Sequence, residues 1–267
     1  MLPKAILLKK KSNNMFQTKK KIIVASGSPR RQQFFTNLGI AFQVLNIQKN
    51  ELYKAQEKDI PVQGIEGLYD KEERPVGNES PEEYAKRAVL LKAFDALKFL
   101  GFLQEKQKFF SAFENRTLLH EVSFPVETFS FSLASDENSI IITADTIVCL
   151  GKEILGKPKT EEEAFSMLQK LRGKTHAVMT AVSFVDITQH ACFIFCDKTE
   201  VTFMPWADSI IKAYVKTGES FDKAGAYGIS GQGSFLARSV QGSPDTVIGL
   251  PVAQCVEFLL WNKAIAI

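Results

Sequence analysis

Ile22-Ile23-Val24-Ala25-Ser26-Gly27-Ser28-Pro29-Arg30-Arg31 is the stretch on which the fold turns. Its first four residues are apolar and mostly β-branched, the pattern of a buried strand, and Ser26, Gly27 and Ser28 are small enough for a sharp backbone turn. A helix is predicted at once. Ser28 can cap it, Pro29 suits its first position, Phe34, Phe35 and Leu38 supply an apolar face, and Gly39 ends it. Arg30 and Arg31 sit oddly in this scheme, because cations in the first turn oppose the helix macrodipole at about 0.3–1 kcal/mol each. An anion such as phosphate, held between them and the exposed amides, turns that cost into binding energy. The competing reading is that both arginines are solvated or paired with acidic neighbours.

The 267 residues suffice for one large α/β domain or two small ones. A composition 45% hydrophobic and 24% charged is that of an ordinary globular protein, and the absence of a long apolar run argues against a membrane role. Thirty-three basic against thirty acidic residues leave +3, too near balance for a general nucleic-acid or membrane-surface binder. Cys149, Cys192, Cys196 and Cys255 follow no zinc spacing and read as buried free thiols in a reducing, cytoplasmic setting. His120, His176 and His190 are scattered, which argues against a histidine metal site.

Residues 1–20 are lysine-rich without an acid and read as a disordered basic tail, with an organellar transit peptide as the competing reading; residues 21–267 read as a single domain. A second strand is expected over residues 42–47, followed near 52–80 by a polar insertion punctuated by Pro61 and Pro75, with Glu51 at its start. Ser80 and Glu83 form a capping box ahead of a helix that runs to Gly101. On that helix Lys92 shares a face with Ala85, Ala88 and Ala96, so it either approaches another backbone closely or snorkels to solvent. Residues 104–139, rich in phenylalanine without settled periodicity, read as a second insertion.

Residues 140–143 and 147–150 read as two buried strands separated by Ala144-Asp145-Thr146. A carboxylate in that setting must be paired, metal-bound or functional, because unpaired burial is costly; a structural aspartate bonding loop amides is the alternative. Lys157, on the Gly156-Lys157-Pro158 corner, could reach back towards it. A capping box at Thr160 and Glu163 opens a helix closed by Gly173, and strands at 176–185, 192–196 and 200–203 with short turns imply antiparallel pairing, hence a mixed sheet. After an amphipathic helix at 208–216, residues 220–234 hold Gly225, Gly228, Gly231 and Gly233, which permit close approach to something flat or anionic beside Asp222 and Lys223. A strand at 235–240 and Gly249-Leu250-Pro251 lead to a last helix.

The ordered set Ser26-Gly27-Ser28-Pro29-Arg30-Arg31, Ala144-Asp145-Thr146-Ile147-Val148 with Gly156-Lys157-Pro158, and Asp222-Lys223-Ala224-Gly225-Ala226-Tyr227-Gly228-Ile229 with Gly249-Leu250-Pro251 resembles the Maf family of nucleoside triphosphate pyrophosphatases, from Lys21 to about Trp261. The resemblance implies an α/β fold with a mixed, mostly antiparallel central sheet and flanking helices in two lobes around a nucleotide cleft, usually as a homodimer. It implies metal-dependent hydrolysis of a nucleoside triphosphate between its α and β phosphates. By the same resemblance Asp145 is the catalytic base, and Ser26, Arg30, Arg31, Glu51, Lys92 and Lys157 handle phosphates and metal, with Asp145 and Glu51 on Mg2+ or Mn2+. Lys223 joins the substrate-binding set. The motifs look like the dTTP/UTP branch, where Arg30, Thr146 and a glutamine after Gly-Ile discriminate the base; here Ser230 stands in the glutamine's place, and Gln232 could reach in instead. Elementary chemistry agrees, since a metal-bound triphosphate needs several cations around its oxygens and carboxylates to hold the metal and orient water. The alternative expectation is a catalytically weak, nucleotide-binding regulator of cell division that acts through partner binding.

Overall fold

The computed structural model describes residues 14–46, 51–54 and 79–267. The chain opens with β1 (Gln17–Thr18), β2 (Lys21–Val24), α1 (Pro29–Asn37), β3 (Gln43–Asn46), β4 (Glu51–Lys54) and α2 (Pro81–Phe99). Next come α3 (Lys106–Glu114), β5 (Thr117–Leu119), β6 (Val126–Ser130), β7 (Ser139–Leu150), β8 (Glu153–Leu155), α4 (Glu161–Leu171), β9 (Thr175–Asp186) and β10 (Ala191–Phe203). The last elements are α5 (Asp208–Val215), β11 (Ala237–Gln241), α6 (Pro244–Ile248), α7 (Val252–Trp261) and β12 (Ile265–Ala266). Ten strands make one sheet in the order β4-β3-β2-β7-β9-β10-β6-β5, with β8 added to β7 and β11 to β10. Among the described residues β2 runs parallel to β3 and β7, and the other pairings are antiparallel.

Alternation along the strands builds the layers. Ile22, Ile140 and Ile142 point to one face, where Phe35 of α1 and Phe258 of α7 cover them. Ile23, Ile141 and Val185 point to the other, under Val89, Leu90 and Leu97 of α2. The far halves of β7, β9 and β10 carry Val148, Val178 and Val201 into a third cluster with Leu168 of α4 and Ile211 of α5. The mixed sheet therefore supports two lobes, one on α1, α2 and α7 and the other on α4 and α5. No described helix is long and apolar enough to cross a membrane.

Several local expectations change. The two strands expected around Asp145 are one continuous β7, and those expected at 192–196 and 200–203 are one continuous β10. Ser28 occupies the N-cap of α1 but its side chain caps nothing; its amide donates to the Ser26 hydroxyl at 3.3 Å instead. The capping box of α2 is complete, with Glu83 N–H to Ser80 Oγ at 3.2 Å and Ser80 N–H to Glu83 Oε2 at 2.9 Å. At α4 only half forms, because the Glu163 carboxylate accepts the Lys159 amide at 2.6 Å. Part of the expected tail is built into the fold: β1 pairs with β12, and Lys20 bonds the fully buried Asp186 and Asn262. Residues 1–13 and 55–78 lie outside the described residues. All four cysteines are free, three of them buried, and burial lifts the Cys149 thiol to about 11.

The phenylalanine-rich segment packs around Phe109 of α3. That ring is fully buried and meets Phe131 at 4.9 Å, Phe129 at 5.4 Å, Phe110 at 5.5 Å and Phe94 at 6.0 Å between centroids. The cluster ties β6, an outer strand, to α2. Phe109→Ala is expected to cost about 3–5 kcal/mol, with urea denaturation as the measurement, whereas Phe113→Ala at the partly buried rim costs less.

Candidate active site

A gap in the sheet creates the cleft. Strand β2 ends opposite Ile142, where the Ala25 amide still bonds the Ile142 carbonyl at 2.8 Å, and β8 joins the same edge of β7 only at Val148. Between them the edge of β7 meets no strand, and the turn from Ser26 to Arg31 occupies the space. The resulting cleft has a volume of about 550 Å³ and is walled by that turn, Lys92 of α2, the middle of β7, Lys157, residues 222–224 and 227–230, and Val247 and Ile248.

Alternation now separates two neighbours. Asp145 points to the α2 face, where Lys92 Nζ bonds its Oδ1 and lies 3.5 Å from the Ala144 carbonyl. The two side chains keep 20% and 26% of their surface exposed, so the pair is shielded yet reachable from the cleft. The cation on Asp145 is thus Lys92 and not Lys157, which lines the cleft as an exposed side chain. Thr146 points the opposite way, towards α1, and accepts from Arg31 Nη2 at 3.0 Å.

Arg31 is held on three sides, with Nε on the Gly249 carbonyl at 2.7 Å and Nη1 on the Ser26 hydroxyl at 3.3 Å besides Thr146. Three of its five N–H groups are committed and two remain for an incoming anion. Burial pulls this guanidinium below its ordinary value; the Asp145 charge opposes that shift and Arg30 adds to it. It stays cationic at any physiological pH. Arg30 reaches the other way, donating to Asp222 at 2.7 Å, and Lys223 binds the same carboxylate at 2.6 Å and the Glu219 carbonyl at 2.7 Å. Burial alone would raise the Asp222 carboxyl, but the bonds from Lys223 and Arg30 outweigh it and hold it below its ordinary value.

Ser230 lines the cleft and is exposed, whereas Gln232 is not in its wall; the Gln232 amide is tied to Glu219 Oε2 at 2.9 Å. Glu51 opens β4 in register with Asn46, itself a wall residue. The glycine-rich loop is shaped by contact with β7. At Gly225, φ is +68° and a Cβ would stand 2.8 Å from Val148, so no other residue fits without displacement. Behind the loop the His176 ring, on β9, shares a 2.6 Å hydrogen bond with the Tyr227 hydroxyl and is edge-on to Phe203. Thr180, Thr246 and the Gly249 carbonyl were not legible as site residues, since a threonine inside a strand or a main-chain carbonyl carries no signature. The Gly249-Leu250-Pro251 turn was the one available signal.

The fold is a mixed α/β sheet interrupted at a cleft whose wall carries five cationic side chains, Lys92 on the semi-buried Asp145 and Arg30 and Lys223 on Asp222 among them. The sequence profile described as "Maf-like protein" matches residues 21–261. A dTTP/UTP pyrophosphatase from Nitratidesulfovibrio vulgaris is 34% identical over 88% of this chain and 85% of its own. Another from Bacillus velezensis is 46% identical over 48% of this chain, a match that spans 66% of that protein. Among solved structures, a nucleoside-triphosphatase / dITP/XTP pyrophosphatase from Mycobacterium abscessus aligns with 91% of this chain and 95% of its own at 10% identity and a TM-score of 0.35. The chain belongs to the Maf-like family.

The wall behind the glycine-rich loop has a pH signature. Burial holds His176 down at about 4, against an ordinary 6.5. The unfolded chain therefore takes up a proton as pH falls below 6.5 while the folded protein does not until about 4. Stability is full above 6.5 and declines across that window, by about 3 kcal/mol in all from this one group. Denaturation midpoints at pH 7 and pH 4.5 are expected to differ less in His176→Leu than in the parent protein.

Proposed function

We propose that the cleft hydrolyses nucleoside triphosphates, dTTP and UTP best, between the α and β phosphates to give a nucleoside monophosphate and pyrophosphate. The observation that carries this reading is the placement of Asp145 in the sheet gap, bonded by Lys92 and flanked by Arg30, Arg31, Lys157 and Lys223. Five cations against the two carboxylates Asp145 and Asp222 leave a positive surplus that suits a polyanion, and Asp145 stands where water can attack it. The names of the two relatives support the nucleotide class and the bases.

In this mechanism Arg31 uses its two free N–H groups on the polyphosphate, and Arg30, Lys157 and Lys223 spread the remaining charge, most strongly on the leaving pyrophosphate. Lys92 bonds Asp145 at rest and has a phosphate oxygen as a second acceptor within the same cleft. Asp145 orients the attacking water and takes its proton. Magnesium commonly binds through one or two carboxylates with substrate phosphates completing its shell, and Asp145 is a carboxylate that the cleft wall offers to such an ion. Asp145 and Glu51 would hold that ion, Mg2+ or Mn2+, and its charge would neutralise phosphate oxygens. Thr146 acts on the substrate through Arg31, because its hydroxyl lies between Arg31 and Thr180 at 3.0 and 2.9 Å. Base recognition then falls to Ser230 and the loop around it. A homodimer is part of the proposal, on the family resemblance alone, and sedimentation tests it.

The reading as a weakly catalytic regulator has no observation in its favour, since Asp145, both arginines and all three lysines line the cleft. Asp145→Asn is expected to lower pyrophosphate release by about 10²–10⁴-fold, the usual contribution of a general base, with unchanged thermal stability within a few degrees. In a panel of nucleotides with Mg2+ or Mn2+, UTP and dTTP should be cleaved faster than ATP or GTP; faster purine hydrolysis would overturn the base assignment, and an unimpaired Asp145→Asn the mechanism.

A further inference from the structure

Two of the three groups that hold Arg31 lead back to α6, a five-residue helix. The Gly249 carbonyl that accepts Arg31 Nε lies just past its end, where the Gly249 amide bonds the Asp245 carbonyl at 2.9 Å. The other route runs through hydroxyls, and its donors can be assigned. Thr180 donates to the Thr246 carbonyl at 2.7 Å, so its single proton is spent, and in the 2.9 Å contact between Thr146 and Thr180 the proton must come from Thr146. Thr146 then presents only lone pairs to Arg31, which suits a guanidinium that can only donate.

The far end of the relay is a carboxylate. The Thr246 hydroxyl donates to Asp197 Oδ2, and Asp197 Oδ1 accepts Gln254 Nε2 of α7 at 3.1 Å. The N-cap of α6 is tied to β10 as well, because Thr199 donates to the Ser243 carbonyl at 3.0 Å. Gly242 allows this approach, with φ +123° and only 2.7 Å between a hypothetical Cβ and Thr199 Oγ1. Neither Asp197 nor Thr246 lines the cleft, yet Val247 and Ile248, which follow Thr246, do.

We propose that Asp197 and Thr246 are positioning residues that act through Arg31, locking α6 so that both of its anchors on the guanidinium stay in place. This rests on the reading above, in which Arg31 holds the polyphosphate. Losing the Thr246 hydroxyl strips Asp197 Oδ2 of its donor and leaves the carboxylate only Gln254, so α6 is freed and the Arg31 fork loses its aim.

The test is a double-mutant cycle read by binding of inorganic pyrophosphate in calorimetry, alongside KM and kcat for UTP. Thr246→Val is expected to weaken pyrophosphate binding and raise KM by about five- to tenfold with a smaller change in kcat, and Thr246→Ser to restore both to within about twofold. In an Arg31→Lys background Thr246→Val should cost less than about twofold more, since the fork it aims is gone; an additive loss, as from a general structural defect, overturns the proposal. Wild-type affinity in Thr246→Val, or no rescue by serine, overturns it too. If Thr246→Val fails to fold, Asp197→Asn enters the same cycle. A wild-type protein that releases no pyrophosphate from UTP or dTTP would overturn the pyrophosphatase reading alone, because the cycle is scored on binding.

Discussion

Past Ile142, strand β7 runs on without a neighbour on its β2 side until β8 joins it, and that bare edge carries a carboxylate. An aspartate so placed cannot stand alone, since a shielded charge without a partner is costly. Lys92 must therefore arrive from α2, which explains why that helix lies across the sheet on the Asp145 face and buries Ala85, Val89, Ala93 and Ala96 without exposure. One residue further along the strand the opposite face needs a partner for Thr146, and α1 delivers Arg31. The pleat thus divides the work between the two helical layers, one guarding the carboxylate and the other supplying a donor.

Much of this was legible because short-range rules govern it. Residues 22–31 declared a strand, a turn and a helix, and the Ser80 box announced α2 and with it the face of Lys92. What escaped depends on contacts remote in sequence. Asp145 looked like a break because a charge in an apolar run normally ends a strand, but here Lys92, 53 residues away, makes the charge tolerable and β7 continues. The phenylalanines of 104–139 showed no period because α3, β6 and the residue after it pool five of them around Phe109, while Phe124 packs against Phe195 in another cluster. Of the arginine pair, Arg30 is paired with an acidic neighbour, as the bland view required, and lines the cleft together with Arg31.

The relay of threonines was beyond sequence reasoning altogether. Thr146 and Thr180 meet only because β7 and β9 pair in that register, and Thr246 meets Thr180 only because Gly242 lets the chain descend onto β10. Each is an unremarkable strand or helix residue in isolation.

The wall of the cleft holds Arg30, Arg31, Lys92, Lys157 and Lys223 against Asp145 and Asp222, a surplus of three positive charges. The whole chain has 33 basic and 30 acidic residues, a surplus of the same three. Everything outside the cleft, with 28 of each, is formally neutral. The net charge of the chain thus equals the surplus gathered at the cleft wall, and the field which that surplus sets up at the mouth of the sheet gap draws an anion inward.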